Sequence, residues 1–139
     1  MGSRDLAQID LETGDVSYFE DVGANPRHLV MSPGGQTLYV SLNGESRIAK
    51  LDLETGAVTE KVATGAAPRS MAISDDGTAL YVVNYNSNTM SKVRTSDMFE
   101  LEEIPTNVNP IGITYDAPTR QIWVSNYSGT IQVFQDAAP

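Results

Sequence analysis

The 139-residue chain carries a net charge of −9 and contains no cysteine. The lack of cysteine excludes disulfides, thiolate metal sites and cysteine nucleophiles. The acidic balance disfavours sequence-independent nucleic-acid binding, which needs a basic surface, and favours solubility or a cationic partner. Hydrophobic residues make up 40% of the chain, enough for a core. No apolar run approaches the roughly 18 residues of a membrane helix, so no membrane insertion is expected.

The sequence repeats itself at a fixed interval. "QIDLETGDV" at residues 8–16 returns as "KLDLETGAV" at residues 50–58. Two further series have the same spacing of 42 residues: the prolines at 26, 68 and 110, and the apolar runs "LYV", "LYV" and "IWV" that begin at 38, 80 and 122. A constant period of this length indicates a repeat architecture.

Short apolar runs separated by turn residues predict antiparallel strands and almost no helix. In chain order, the second repeat predicts four strands: "RSMAIS" (69–74), "ALYVVN" (79–84), "TMSKVRT" (89–95) and "ELEEIP" (100–105). Four strands in one such period match a β-propeller blade. A β-solenoid is the alternative, but its repeats are usually shorter and lack four turn clusters.

The second strand of each repeat is the most apolar. The runs "LYV", "LYVV" and "IWV" do not alternate, which predicts strands covered on both faces by neighbouring blades. We therefore expect Val82 and Trp123 to be buried between blades, and Trp123→Ala to cost about 3–5 kcal/mol. The fourth strand is half charged and is expected at the rim.

The repeats resemble the YVTN-type β-propeller family, which is related in architecture to WD-repeat and lactonase-like propellers. The motifs that carry the resemblance are "NPRHLVMSPGGQTLYVSL", "APRSMAISDDGTALYVVN" and "NPIGITYDAPTRQIWVSN", with the "DLETG" turns. The resemblance covers essentially the whole chain, apart from the turns "DAPTR" and "TSDMFE". It implies an all-β fold of four-stranded propeller blades and an extracytoplasmic or cell-surface location.

We predict a single partial propeller domain over residues 1–139, with about three blades. The repeats are expected at 25–66, 67–108 and 109–139, and residues 4–24 are expected to supply the outer strands of a preceding blade. Closed propellers have about four to eight blades. We therefore expect either a homodimer that completes a six-bladed ring or the remainder of a longer propeller.

One face of the propeller is expected to bind ligands. Blade connectivity places the loops before the first strands and after the second strands on this face, where the resemblance implies a ligand site. The candidate ligand-binding residues on it are Arg27, His28, Arg69, Asn84, Tyr85, Asn126 and Tyr127. Arg27 and Arg69 share one repeat position, and their guanidinium groups could bind an anion or a carboxylate. Alternatively, they pack along their stems and cap neighbouring carbonyls.

The other candidates also have structural alternatives. The lone His28 is more often a structural hydrogen-bonding residue than a metal ligand. Asn84 and Asn126 could close turns through their own backbone, or could hold a sugar or peptide together with the tyrosines. The "SDDG" and "LETG" turns lack the ligand spacing of a calcium loop. We expect no metal and no cofactor.

The sequence gives little support for catalysis. It has no G-x-S-x-G motif, and its one histidine has no evident nucleophile partner. The resemblance implies that lactonase-like members hold a metal in the channel with carboxylates and amides, and no matching Glu-Asn-Asp set is present near the channel. We predict a non-catalytic binding or scaffolding module. A lactonase-like or other hydrolase with a channel-bound divalent metal is the alternative.

Overall fold

A computed structural model describes residues 3–137, which contain thirteen β-strands and no helix. The strands are β1 (Leu6–Ile9), β2 (Val16–Phe19), β3 (Pro26–Met31), β4 (Thr37–Leu42), β5 (Arg47–Asp52), β6 (Val58–Ala63), β7 (Pro68–Ile73), β8 (Ala79–Asn84), β9 (Thr89–Arg94), β10 (Phe99–Pro105), β11 (Pro110–Asp116), β12 (Gln121–Asn126) and β13 (Thr130–Gln135). No membrane-spanning helix is found within these residues. Residues 1–2 and 138–139 of the predicted domain lie outside the described range.

The strands form four antiparallel sheets that follow one another along the chain. β1 and β2 form an N-terminal hairpin. β3–β6 form the first blade and β7–β10 the second, with four strands each. β11–β13 form a third blade with three strands. The predicted all-β fold of antiparallel propeller blades is confirmed, and the chain forms part of a propeller.

The repeated "DLETG" segments fold as identical turns. Asp52 Oδ1 accepts hydrogen bonds from the backbone N–H groups of Glu54 and Thr55, at 2.8 and 3.0 Å. Asp10 makes the same pair of bonds in the hairpin. These backbone bonds lower the pKa of both carboxyl groups. Gly56 closes the turn with a φ of 74°, a conformation that favours glycine. Turn formation therefore accounts for the recurring motif.

Apolar layers between successive sheets form the core. One layer lies between the hairpin and the first blade, one between the first and second blades, and one between the second and third. β8 is buried along its whole length, and Val82 is fully buried as predicted. β4 is buried at every position except its first. The apolar runs therefore mark strands that are covered on both faces.

The prediction that Trp123 is buried is wrong. The Trp123 side chain is 43% exposed, whereas its neighbours Ile122 and Val124 are buried. β12 therefore alternates between a covered and an open face. The covered face packs on the second blade, and no sheet within residues 3–137 packs on the other face. Trp123→Ala should therefore cost less than the roughly 3–5 kcal/mol expected for a buried aromatic side chain.

The residue before each innermost strand has a left-handed backbone. Asn25, Ala67 and Asn109 have φ values of 52°, 57° and 54°. Asparagine tolerates this conformation better than alanine does, and the Asn109 side chain also donates to the carbonyl of Tyr85 at 3.0 Å. We expect Ala67→Asn to raise the free energy of unfolding by about 0.5–1 kcal/mol, a part of the roughly 1–2 kcal/mol that a left-handed backbone costs most residues, measured by urea denaturation.

The neighbouring alanine provides the control for this substitution. Ala66 does not have a positive φ, so Ala66→Asn should leave the stability unchanged or lower it. Equal stabilisation by both variants would contradict backbone strain at Ala67 as the cause.

Candidate functional site

The three innermost strands, β3, β7 and β11, carry a bulge at the same place. Pairing with the adjacent strand shifts register after Pro26, Pro68 and Pro110. Proline has no N–H for the ladder, and a bulge re-aims the side chains beside it. The residues that follow these prolines are Arg27, Arg69 and Ile111. The repeat therefore brings two arginines to equivalent positions on adjacent blades.

These residues line a cleft on the predicted ligand face, which we call the arginine cleft. It consists of two adjoining hollows of about 370 and 260 Å³ that share Arg27 and Arg69. The first is also lined by His28, Ser70, Ile111 and Tyr127, and the second by Asn43, Ala67, Tyr85 and Asn86. Among the described residues, no carboxylate side chain lines either hollow.

The two guanidinium groups of the arginine cleft have no ionic partner in the part of the chain that the structure describes. Within residues 3–137, neither Arg27 nor Arg69 makes an ion pair or a side-chain hydrogen bond. By contrast, Arg4, Arg94 and Arg120 each pair with a carboxylate. On a chain with a net charge of −9, the cleft is thus a local site of unneutralised positive charge.

Contacts from neighbouring loops position Arg69. Its guanidinium carbon lies 4.5 Å from the centre of the Tyr85 ring, a cation–π arrangement. Its backbone carbonyl accepts a hydrogen bond from the Ser41 hydroxyl at 2.6 Å. The Asn43 side chain donates to the carbonyl of Pro68 at 3.2 Å. The hydrogen bonds therefore anchor the backbone at Arg69, and the Tyr85 ring supports its guanidinium.

His28 connects the first two blades beneath the cleft. Its Nδ1 accepts a hydrogen bond from the backbone N–H of Met71 at 3.2 Å, so the neutral ring carries its proton on Nε2. Burial lowers the pKa of His28, which favours this neutral form at pH 7. Its backbone N–H donates to the Ser41 hydroxyl at 3.0 Å. The structural role expected for a lone histidine is present, and the ring also lines the cleft.

The two candidate asparagines do not line the cleft. Asn84 is fully buried and donates to the hydroxyls of Thr89 and Ser91, at 3.0 and 2.9 Å. Asn126 is 5% exposed and donates to Thr130 Oγ1 at 3.2 Å. Both side chains fasten the end of a second strand to the strand that follows. Their burial favours the structural alternative, and a ligand role for them stays a prediction without support from their contacts.

The two candidate tyrosines line different hollows of the arginine cleft. Tyr85 lies under Arg69 in one hollow, and Tyr127 borders the other with 73% of its surface exposed. The sequence did not single out Ser70 or Asn86, which also line the cleft. Ser70 could have been found, because it follows Arg69 as His28 follows Arg27.

A larger hollow of about 460 Å³ lies between the second and third blades, but its cationic groups are already paired with carboxylates and its Asp76 accepts hydrogen bonds from Ser74 and Thr78. Asp136 accepts hydrogen bonds from Lys92, Arg120 and Tyr81. Arg94 pairs with Asp97 outside the lining. This hollow therefore has less capacity for a charged ligand than the smaller arginine cleft.

The arginine cleft does not fit a divalent metal. Its lining offers one histidine, whose Nδ1 already accepts a hydrogen bond, together with two cationic side chains. Among the described residues, no three His, Cys, Asp or Glu side chains cluster as metal ligands would. We derive no chemistry through a metal at this site.

A family model described as the lactonase, 7-bladed β-propeller matches residues 28–108, more than half of the chain. The chain belongs to this family. The match confirms the predicted β-propeller repeat family and is compatible with the YVTN-type resemblance. A comparison with curated proteins gave no significant match.

Solved structures with propeller folds are similar to the chain over most of its length. Hydrazine synthase from Kuenenia stuttgartiensis shares 31% identity, with a TM-score of 0.76 over 79% of this chain and 32% of that one. The dihydro-heme d1 dehydrogenase NirN shares 18% identity, with a TM-score of 0.72 over 98% and 34%. A chain of the mitotic checkpoint complex shares 13% identity, with a TM-score of 0.82 over 95% and 41%. The chain therefore spans about a third of the length of the solved chains it matches, and the two lower identities show the fold alone.

Proposed function

We propose that this chain is a non-catalytic binding module whose arginine cleft takes a small anionic ligand, with a carboxylate as the favoured group. The observation that carries the proposal is that, within residues 3–137, the guanidinium groups of Arg27 and Arg69 make no ion pair and lie in a cleft lined by no carboxylate. A guanidinium presents a planar fork of donors that matches a carboxylate in two parallel hydrogen bonds. Two such forks on adjacent blades could bind one anionic group between them.

The rest of the cleft indicates what the anionic group is attached to. Ile111 and the exposed ring of Tyr127 border the same hollow as both arginines. An aromatic side chain gives a flat apolar surface on which a ring can stack. These contacts support a carboxylate carried on a flat, apolar body, for which benzoate is a simple probe.

Removal of both guanidinium groups should abolish most of the affinity for benzoate. A hydrogen bond to a charged group contributes about 1.5–3 kcal/mol, so Arg27→Ala with Arg69→Ala should weaken binding by at least about tenfold. Isothermal titration calorimetry with benzoate measures this change, and thermal unfolding checks that the double variant remains folded.

Arg47→Ala is the matched control. Arg47 is exposed, lines neither hollow, and its removal changes the net charge by one unit as each cleft substitution does. We expect it to leave benzoate affinity nearly unchanged. An equal loss for Arg47→Ala and the double variant would show a general charge effect and contradict the cleft as the site.

A second candidate function is suggested by the matched family, whose description names lactonase. A hydrolase would need a group that activates water, and the arginine cleft supplies neither a carboxylate nor a metal site for this. We therefore expect no hydrolysis of a simple γ- or δ-lactone when divalent metal is added. Metal-dependent turnover that is lost in a chelator would favour the hydrolase instead.

A further inference from the structure

The lining of the arginine cleft changes in character from one blade to the next. Two repeat positions contribute to it in every blade, namely the residue after the proline of the innermost strand and the residue after the second strand. These residues are Arg27 and Asn43 in the first blade, Arg69 and Tyr85 in the second, and Ile111 and Tyr127 in the third. The lining therefore passes from an amide, past two guanidinium groups, to an apolar and aromatic end.

The two arginines lie where the two hollows of the cleft adjoin, and both hollows share them. The hollow that reaches the third blade also contains Ile111 and Tyr127, whereas the other hollow contains the side-chain amides of Asn43 and Asn86. A carboxylate bound between the arginines can therefore extend one substituent into each hollow. A carbon that carries a carboxylate, an aromatic group and an amide matches this division.

The amides of the second hollow have hydrogen-bonding capacity to spare. Asn43 Nδ2 donates to the carbonyl of Pro68 at 3.2 Å, which orients the side chain. Within residues 3–137, Asn43 Oδ1 accepts no hydrogen bond and the Asn86 side chain makes none. A side-chain amide offers one acceptor oxygen and two donor hydrogens. The pair can therefore accept from the N–H and donate to the carbonyl of a ligand amide.

Backbone hydrogen bonds fix the loops that carry these two amides. The N–H of Asn43 donates to the carbonyl of Asn25 at 3.1 Å, and the N–H of Asn86 donates to the carbonyl of Ala66 at 3.1 Å. Each bond ties the loop after a second strand to the loop before an innermost strand. The polar hollow is therefore formed before a ligand binds, which lowers the entropy lost on binding.

We infer that the arginine cleft binds an N-acylated aromatic amino acid through its free carboxylate, either as a small molecule or as the last residue of a peptide chain. The carboxylate is held by the two guanidinium groups. The aromatic ring packs on Ile111 and Tyr127, and the amide pairs with Asn43 and Asn86. This inference rests on the proposed function, because it names the ligand class of the same cleft.

Three related compounds test this ligand class by isothermal titration calorimetry. N-acetylphenylalanine carries all three groups, hydrocinnamate lacks the amide, and N-acetylphenylalaninamide lacks the carboxylate. We expect N-acetylphenylalanine to bind about fivefold or more tighter than hydrocinnamate, because one added hydrogen bond contributes a factor of this order. N-acetylphenylalaninamide should bind at least about tenfold more weakly than N-acetylphenylalanine, because it offers the arginines no charge.

Replacing both asparagines should remove the preference for the amide. In Asn43→Ala with Asn86→Ala, N-acetylphenylalanine and hydrocinnamate should bind with nearly equal affinity. The readout is the ratio of the two affinities, so a general weakening of the cleft does not imitate the result. Gln36→Ala is the matched control, because Gln36 is an exposed amide residue that lines neither hollow. It should keep the preference of the native chain.

The outcomes separate this inference from the proposed function. Equal binding of N-acetylphenylalanine and hydrocinnamate by the native chain, or a preference that survives in the double variant, overturns the inference and leaves the carboxylate site in place. No saturable binding of benzoate or of either carboxylate would contradict the proposed function as well. N-acetyl-glycyl-glycyl-phenylalanine distinguishes the two sources. Tighter binding than N-acetylphenylalanine supports a peptide chain end, and equal or weaker binding supports the small molecule.

Discussion

Tyr81→Ala is expected to lower the free energy of unfolding by about 3–5 kcal/mol, as for other large buried side chains cut back to alanine. Tyr81 is 1% exposed. Its ring stacks on Tyr115 with the ring centres 5.5 Å apart, and its hydroxyl donates to Asp136 at 2.6 Å. The substitution therefore removes a packed ring between two blades and leaves a carboxylate with one donor fewer. Urea denaturation measures the change.

Trp123→Ala is the matched control, because it truncates an aromatic side chain at the same repeat position. With 43% of its surface exposed, Trp123 should contribute about 1 kcal/mol or less to the folding of one copy. Equal losses for Tyr81→Ala and Trp123→Ala would contradict the open face of the third blade.

Asp136→Ala is expected to lower the free energy of unfolding by about 3 kcal/mol, because it removes the acceptor shared by two cations. The Asp136 side chain is 8% exposed, while Lys92 and Arg120 are 16% and 35% exposed. The partial exposure of Arg120 places the effect near the lower end of the range for buried pairs. The lost contacts join the second blade to the third.

The contribution of Asp136 to the free energy of unfolding should depend on pH. Burial alone would raise its pKa, but the hydrogen bonds from Lys92 and Tyr81 outweigh burial and lower it below the ordinary 3.8. The stabilisation is therefore complete above pH 3.8 and is lost as the pH falls through the folded-state pKa. The stability difference between the native chain and Asp136→Ala should shrink in acid.

Asp97→Ala provides the comparison for Asp136→Ala. Asp97 pairs with Arg94, but the two side chains are 52% and 46% exposed. An exposed pair contributes about 0–1 kcal/mol, so this variant should be nearly as stable as the native chain. A loss as large as that for Asp136→Ala would show that burial does not set the strength of these pairs.

The period of the sequence predicted most of the fold, because each repeat carries its own strand and turn signals. The prolines at 26, 68 and 110 and the "DLETG" turns act locally, within a few residues. The burial of the "IWV" strand could not be predicted from such local signals. Whether Trp123 is covered depends on a neighbouring sheet, and that information lies outside the repeat that contains Trp123.

Part of the arginine cleft was predictable, because Arg27 and Arg69 share a repeat position and propeller connectivity fixes the face on which they lie. The stacking of Arg69 on Tyr85 and the bond from Met71 to His28 were not predictable, since both depend on side-chain orientation. The cluster around Asp136 was missed altogether. Lys50 and Lys92 recur 42 residues apart, and this spacing was the available signal that each lysine reaches the next blade.

The most direct test of the proposed function is to map where benzoate binds, using ¹H–¹⁵N chemical-shift changes during a titration. The account predicts that the largest changes occur at the backbone amides of Arg27, Arg69 and Tyr127, on the face that carries the arginine cleft. They should be absent when Arg27 and Arg69 are both replaced by alanine. Changes centred on the opposite turns around Asp52 and Asp76, or no saturable change at all, would contradict it.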